Sequence, residues 1–168
     1  MNLMKTAAMI AVCTSLAACA GNPFGRNGPD DGATGVAAGL GSASDPTSIA
    51  YFQTSVGDRV LFAVDQSTLS ADAITTLNAQ ANWLSSNGSY AVVIEGHADE
   101  QGTREYNLAL GDRRAQAVRD HLVARGIAPG RISTITFGKE RPIEICSTEA
   151  CWSQNRRAVT AVKTGLSG

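Results

Sequence analysis

Two amphipathic helical stretches, each set between short runs of strand-forming residues, limit most of this chain to a layered α/β head. Residues 58–64 read as a strand, and the turn at 65–70 leads to Ser70, whose side chain can cap the helix that follows. That helix is predicted over Ala71–Ser86, with Ile74, Leu77, Ala81 and Leu84 on one buried stripe, and Asn87-Gly88 ends it. Residues 90–95 are the most apolar strand and belong at the centre of the sheet. A second helix, residues 104–125, turns Leu108, Gly111, Ala115, Val118 and Leu122 inward and is closed by Gly126 and Pro129. Residues 131–137 and 156–162 supply two more strands, joined by a loop at 138–154. The order βαβαββ predicts an α/β two-layer sandwich, a mixed sheet with both main helices on one face.

The segment before this head has a different character. Lys5 precedes an apolar run, Ala7 to Cys13, which fits an export signal and is too short to span a bilayer. The run ends in Leu16-Ala17-Ala18-Cys19, the form of a lipobox, in which the cut falls before Cys19 and the thiol is acylated. Each buried acyl methylene contributes ~0.8 kcal/mol, so several chains together anchor firmly. Residues 1–18 are therefore expected to be a signal peptide. Residues 19–49, rich in Gly, Ala, Ser, Asp and Pro without apolar period, are expected to form a flexible tether, and residues 50–168 the single domain that this length allows.

Charge and cysteine content narrow the function. With 14 Lys+Arg against 15 Asp+Glu, the chain lacks the basic field that holds a protein on nucleic acid. Of four cysteines, Cys13 leaves with the signal and Cys19 takes lipid. Cys146 and Cys151 remain as an even pair in an exported protein and are expected to form a disulfide, stiffening a small loop by roughly 2 kcal/mol at most. No further Cys or His lies near that pair in sequence, so no metal site is expected there.

Three stretches gather the unusual polar residues: Gly96-His97-Ala98-Asp99-Glu100, then residues 107–115 with Asn107, Leu110 and Arg114, then Asn155-Arg156-Arg157-Ala158-Val159. In this order, across residues 60–162, they resemble the OmpA-like peptidoglycan-binding domain family, and the lipobox points to its lipoprotein branch. The resemblance implies a ligand, the meso-diaminopimelate of the peptidoglycan stem peptide, whose free end carries an ammonium and a carboxylate on one carbon. Asp99 would meet the ammonium, and the planar fork of Arg114 the carboxylate. Carried over residue by residue, Asp65, Thr103 and Leu110 would line the site and Asn107 would tie down its loop. Val64 and Gln101 depart from the family, which usually has an aromatic and an Arg there.

Without the resemblance, Asp99 reads as an Asx loop cap and Arg114 as a surface partner of Asp112. Both Asp99 and Arg114 are expected at the surface, His97 as a hydrogen-bonding residue at the strand end, and Arg156 and Arg157 on opposite faces of a strand, one supporting the site and the other in solvent. Trp83 and Trp152 are expected to pack or to form a rim.

The resemblance further implies a non-catalytic outer-membrane lipoprotein with its domain in the periplasm, linking that membrane to the cell wall. Its partners would be peptidoglycan, TolB and other Tol-system proteins, and the outer membrane through the lipid, with TolB and the wall competing for overlapping surfaces. No cofactor is expected. The alternatives are an OmpA-like lipoprotein outside the Tol system, or a wall amidase or peptidase using His97, Asp99 and Glu100. An enzyme would need a metal or a nucleophile dyad, and the sequence offers two distant histidines and no recognisable nucleophile motif.

Overall fold

The computed structural model describes residues 40–165. The signal segment, Cys19 and residues 20–39 lie outside the described residues. Ser48 opens a short helix, α1 (Ile49–Tyr51), by accepting the Tyr51 N–H, and the chain continues as a π-helical turn, Phe52–Gly57. Sequence reasoning gave this segment no element. Residues 40–48, read above as the end of the tether, are fastened to the head: Trp83 Nε1 donates to the Pro46 carbonyl at 2.7 Å and the Tyr90 hydroxyl to that of Thr47 at 3.1 Å. Trp83 packs between Phe52 and Tyr90, with ring centroids 4.9 and 5.2 Å away.

Strand β1 (Arg59–Leu61) is shorter than expected, because the chain leaves the sheet after Phe62 and turns at Asp65, whose φ is 57°. Ser70 then caps α2 (Ala71–Ser86) by accepting the Ala73 N–H, as the sequence foretold. The buried face of α2 is Ala73, Leu77, Ala81 and Leu84. Ile74, assigned to that stripe, is instead 38% exposed, one residue round the helix from Ala73. Gln80 is buried on the same face without cost, since its amide donates to the Gly57 carbonyl and accepts from Thr160 Oγ1.

Strand β2 (Tyr90–His97) lies inside the sheet, whose order is β1-β4-β2-β3. The long helix α3 (Arg104–Ala124) carries the chain over to β3 (Ile132–Gly138), parallel to β2, while β4 (Arg157–Thr164) runs antiparallel to both β1 and β2. Gly126 ends α3 with φ 95°, a conformation that suits glycine. Alternation along the strands sends Val60, Val92, Ile94 and Ala158 to the face that α2 and α3 cover, where Leu77, Leu84, Val118 and Leu122 complete one core.

The expected loop at 138–154 contains a helix, α4 (Glu149–Asn155), of two turns. Such a helix is too short to show an apolar stripe in sequence, and it buries only Cys151 and Asn155. The Asn155 side chain accepts the N–H groups of Ile143 and Glu144 and donates to the Glu144 carbonyl, fixing the loop ahead of α4.

Candidate functional site

A pocket of about 220 Å³ opens where the loops after β1 and β2 meet the first turns of α3. Asp65, Asp99, Asn107, Leu110 and Arg114, all singled out from sequence, line it together with Val64, Gln101, Gly102 and Tyr106. Its charged walls carry two carboxylates and one guanidinium. Val64 and Gln101, the two departures from the family pattern, thus remain at the site.

Asp99 stands two residues beyond β2. Its Oδ1 accepts the Gln101 N–H at 3.1 Å, so the loop-capping role and the pocket-lining role belong to the same residue. Asn107 Nδ2 donates to the Gln101 carbonyl at 2.7 Å, tying down the loop as expected. From outside, Lys139 Nζ donates to the carbonyls of Glu100 and Gly102, and Trp152 Nε1 donates to Glu100 Oε1 at 3.1 Å. The Glu100 carboxyl is held below its ordinary pKa by hydrogen bonds from Ser147 and Trp152, with Lys139 adding to the effect. A loop held this way needs little ordering when a ligand arrives.

Asp99 and Arg114, both expected at the surface, are buried: Asp99 is 8% exposed and Arg114 0%. Arg114 Nε donates to the Gln66 carbonyl at 2.8 Å, Nη1 to that of His97 at 2.8 Å and Nη2 to that of Ala63 at 3.2 Å. It makes no hydrogen bond to Asp112 or Asp99. The guanidinium also lies 5.2 Å from the centre of the Phe62 ring. Burial pulls its pKa down to about 10, with Asp99 opposing, so it stays charged at neutral pH. Three backbone carbonyls occupy three of its five N–H groups, and the other two make no hydrogen bond within the described residues.

Asp65 accepts a hydrogen bond from the Tyr106 hydroxyl, joining the loop wall of the pocket to the helix wall. Thr103 caps α3 by accepting the Tyr106 N–H at 3.2 Å and is not among the lining residues. Sequence reasoning missed Tyr106. The signal was present, since 106, 110 and 114 follow at four-residue spacing on one helix face.

Of the pair expected to divide between site and solvent, Arg156 is the one that reaches a pocket residue, Asp99. It caps the C-terminus of α4 instead of opening a strand, so strand alternation does not place it. Its Nε donates to the Phe62 carbonyl at 3.2 Å and its Nη1 to Asp99 Oδ2 at 3.3 Å. Neither arginine of the pair is in solvent, contrary to expectation. Arg157 is also buried and reaches the Arg141 carbonyl at 3.1 Å.

His97 is the other correction. Its ring is 1% exposed and packs on Phe137, and neither ring nitrogen has a hydrogen-bond partner. Burial, reinforced by Arg157 and Arg141, pushes its pKa down to about 3, so Glu95 Oε2 at 3.7 Å faces a neutral ring. The site uses only its carbonyl. Cys146 and Cys151 form the expected disulfide, with their Cα atoms 5.7 Å apart.

A family model described as the OmpA family matches residues 61–156. The peptidoglycan-associated lipoprotein of Mesorhizobium japonicum is 50% identical over 163 residues, covering 95% of this chain and 94% of that protein. The protein of the same name from Pseudomonas aeruginosa is 41% identical over 137 residues, 79% of this chain and 78% of its own. Among solved structures, the peptidoglycan-associated lipoprotein from Burkholderia pseudomallei superposes with a TM-score of 0.66 at 35% identity, covering 71% of this chain and 100% of that one.

Proposed function

The chain belongs to the OmpA family, beside the peptidoglycan-associated lipoproteins, and from that premise we propose that it is a lipid-anchored outer-membrane protein whose head grips peptidoglycan without covalent chemistry. Residues 1–18 direct export, Cys19 carries the lipid, and the residues between it and the head act as a leash in the periplasm.

The observation that carries the reading is that Asp99 and Arg114, one anion and one cation, line the same pocket of about 220 Å³. The free end of meso-diaminopimelate fits that pairing: its ammonium goes to Asp99, its carboxylate to the two Arg114 N–H groups that no backbone carbonyl takes. Each charge-assisted hydrogen bond adds roughly 1.5–3 kcal/mol. Leu110 supplies the apolar wall along the ligand's methylene chain. A modest affinity suffices, because many anchored copies face one continuous polymer and effective concentration does the rest.

The wider role is that of a Tol-system component, with TolB as a protein partner that competes with the wall in envelope integrity and cell division. Co-sedimentation of the purified protein with sacculi tests the wall-binding reading. Wild type pellets with the wall, whereas Asp99→Asn and Arg114→Lys remain in the supernatant. Undiminished pelleting of both variants contradicts it. Adding TolB should release wild type from the wall, and simultaneous full-strength binding of both counts against competition.

A further inference from the structure

Arg156 serves two carboxylates unequally. Asp99 receives one contact, from Nη1 at 3.3 Å. Glu149, the first residue of α4, is met at both ends of the fork: Oε2 by Nη1 at 3.3 Å and Oε1 by Nη2. The carboxylate that holds both Nη groups draws most of the guanidinium's charge, since a two-point contact is the stronger and more directional one. Arg156 cannot turn away from this choice, because its side chain is 5% exposed and its Nε is fixed on the Phe62 carbonyl. Glu149 keeps its own carboxyl below the ordinary pKa through the same hydrogen bonds, although its side chain is 63% exposed.

Glu149 is itself held. It falls inside the loop closed by Cys146 and Cys151, at the start of a helix whose end is pinned through Asn155 to the backbone of Ile143 and Glu144. A freely rotating surface glutamate would lose its pairing to side-chain entropy and solvent. One fixed by its backbone does so less.

We propose that Glu149 is a positioning residue for ligand recognition: by occupying both Nη groups of Arg156 it stops that guanidinium from closing on Asp99, and so leaves the Asp99 carboxylate available to a cationic ligand group. Glu149 does not line the pocket and acts only through Arg156. The inference rests on the reading that Asp99 receives an ammonium.

The test compares two murein peptides, one with the free ammonium of diaminopimelate and one acetylated at that nitrogen, against wild type, Glu149→Gln, Asp99→Asn and the double variant. Wild type favours the ammonium peptide. Glu149→Gln loses roughly fivefold affinity for it, a size typical of coupled neighbouring charges, and keeps its affinity for the acetylated peptide. In the Asp99→Asn background the Glu149→Gln loss disappears. Glu149 is exposed, so the variant folds, and an unchanged thermal midpoint verifies this. Unchanged binding by Glu149→Gln, an equal loss for both peptides, or a loss that persists without Asp99 overturns the inference alone. A wild type that does not distinguish the peptides overturns the ammonium reading beneath it, and the inference with it.

Discussion

Gly96 on β2 and Gly111 on α3 meet backbone to backbone: a Cβ on Gly96 would lie 1.8 Å from the Gly111 carbonyl oxygen. This contact sets the depth at which α3 lies on the sheet and brings Arg114, one turn further on, to the His97 carbonyl. Gly96→Ala therefore displaces the helix and should cost about 3 kcal/mol or more, the upper end for overpacking. Gly111→Ala should cost less, because its Cβ would meet the Thr136 hydroxyl at 2.5 Å and the Gly96 carbonyl oxygen at 2.9 Å, overlaps less severe than 1.8 Å. Urea unfolding of the two variants checks the ranking; equal stability with wild type contradicts the close contact.

Arg114→Ala and Arg114→Lys should separate structure from binding. Truncation to Ala leaves three backbone carbonyls without their donor, and each buried unpaired group costs about 1–3 kcal/mol. A clear drop in thermal midpoint is expected for Ala and a smaller one for Lys, which keeps the charge and part of the bonding. Wall binding should be lost in both, since an ammonium lacks the planar fork. A full-strength binder among them refutes the role of the fork.

His97 makes stability depend on pH. The folded ring has a pKa of about 3, against 6.5 for an ordinary histidine, so between those values the unfolded chain binds a proton that the folded one refuses. Stability is complete above pH 6.5 and falls as pH drops through that window, by at most ~1.4 kcal/mol per pH unit from this one group. His97→Phe, which keeps a flat ring without a titrating nitrogen, should flatten the dependence measured by urea unfolding between pH 6.5 and 4. An unaltered slope contradicts the burial of an uncharged ring.

The Cys146–Cys151 crosslink should matter more to recognition than to folding. The loop it closes is small, so opening it costs about 2 kcal/mol at most. The same change loosens the start of α4 and with it Glu149 and the Trp152 bond to Glu100. Cys146→Ser with Cys151→Ser should stay folded and bind sacculi more weakly; full binding by the doubly substituted protein rules this link out.

The sequence made the framework legible where one physical period ruled a long segment. Helix α2 begins at Ser70 and ends at Asn87 as its cap and breaker residues foretell, and β2 is as interior as its apolar run implies. It failed where tertiary context outranked local pattern. Ser48 to Gly57 forms helical turns, and α4 shows no stripe because two turns bury too little. Arg114 was expected in solvent on account of its charge, yet carbonyls from distant loops satisfy it in the interior, a circumstance no local reading contains. Of the residues expected at the pocket, Asp65, Asp99, Asn107, Leu110 and Arg114 come together there. Thr103 works one step away as the cap of the helix that carries the last three.

The central claim is that a zwitterion is held between Asp99 and Arg114, and the most direct measurement is a calorimetric titration with two murein peptides that differ only at the free diaminopimelate carboxylate. With the carboxylate intact, binding should be saturable. With that group amidated, affinity should fall at least ~tenfold, the loss that one charge-assisted bond to Arg114 entails. Equal affinity for the two peptides would mean that the fork of Arg114 grips nothing, and the account would be wrong.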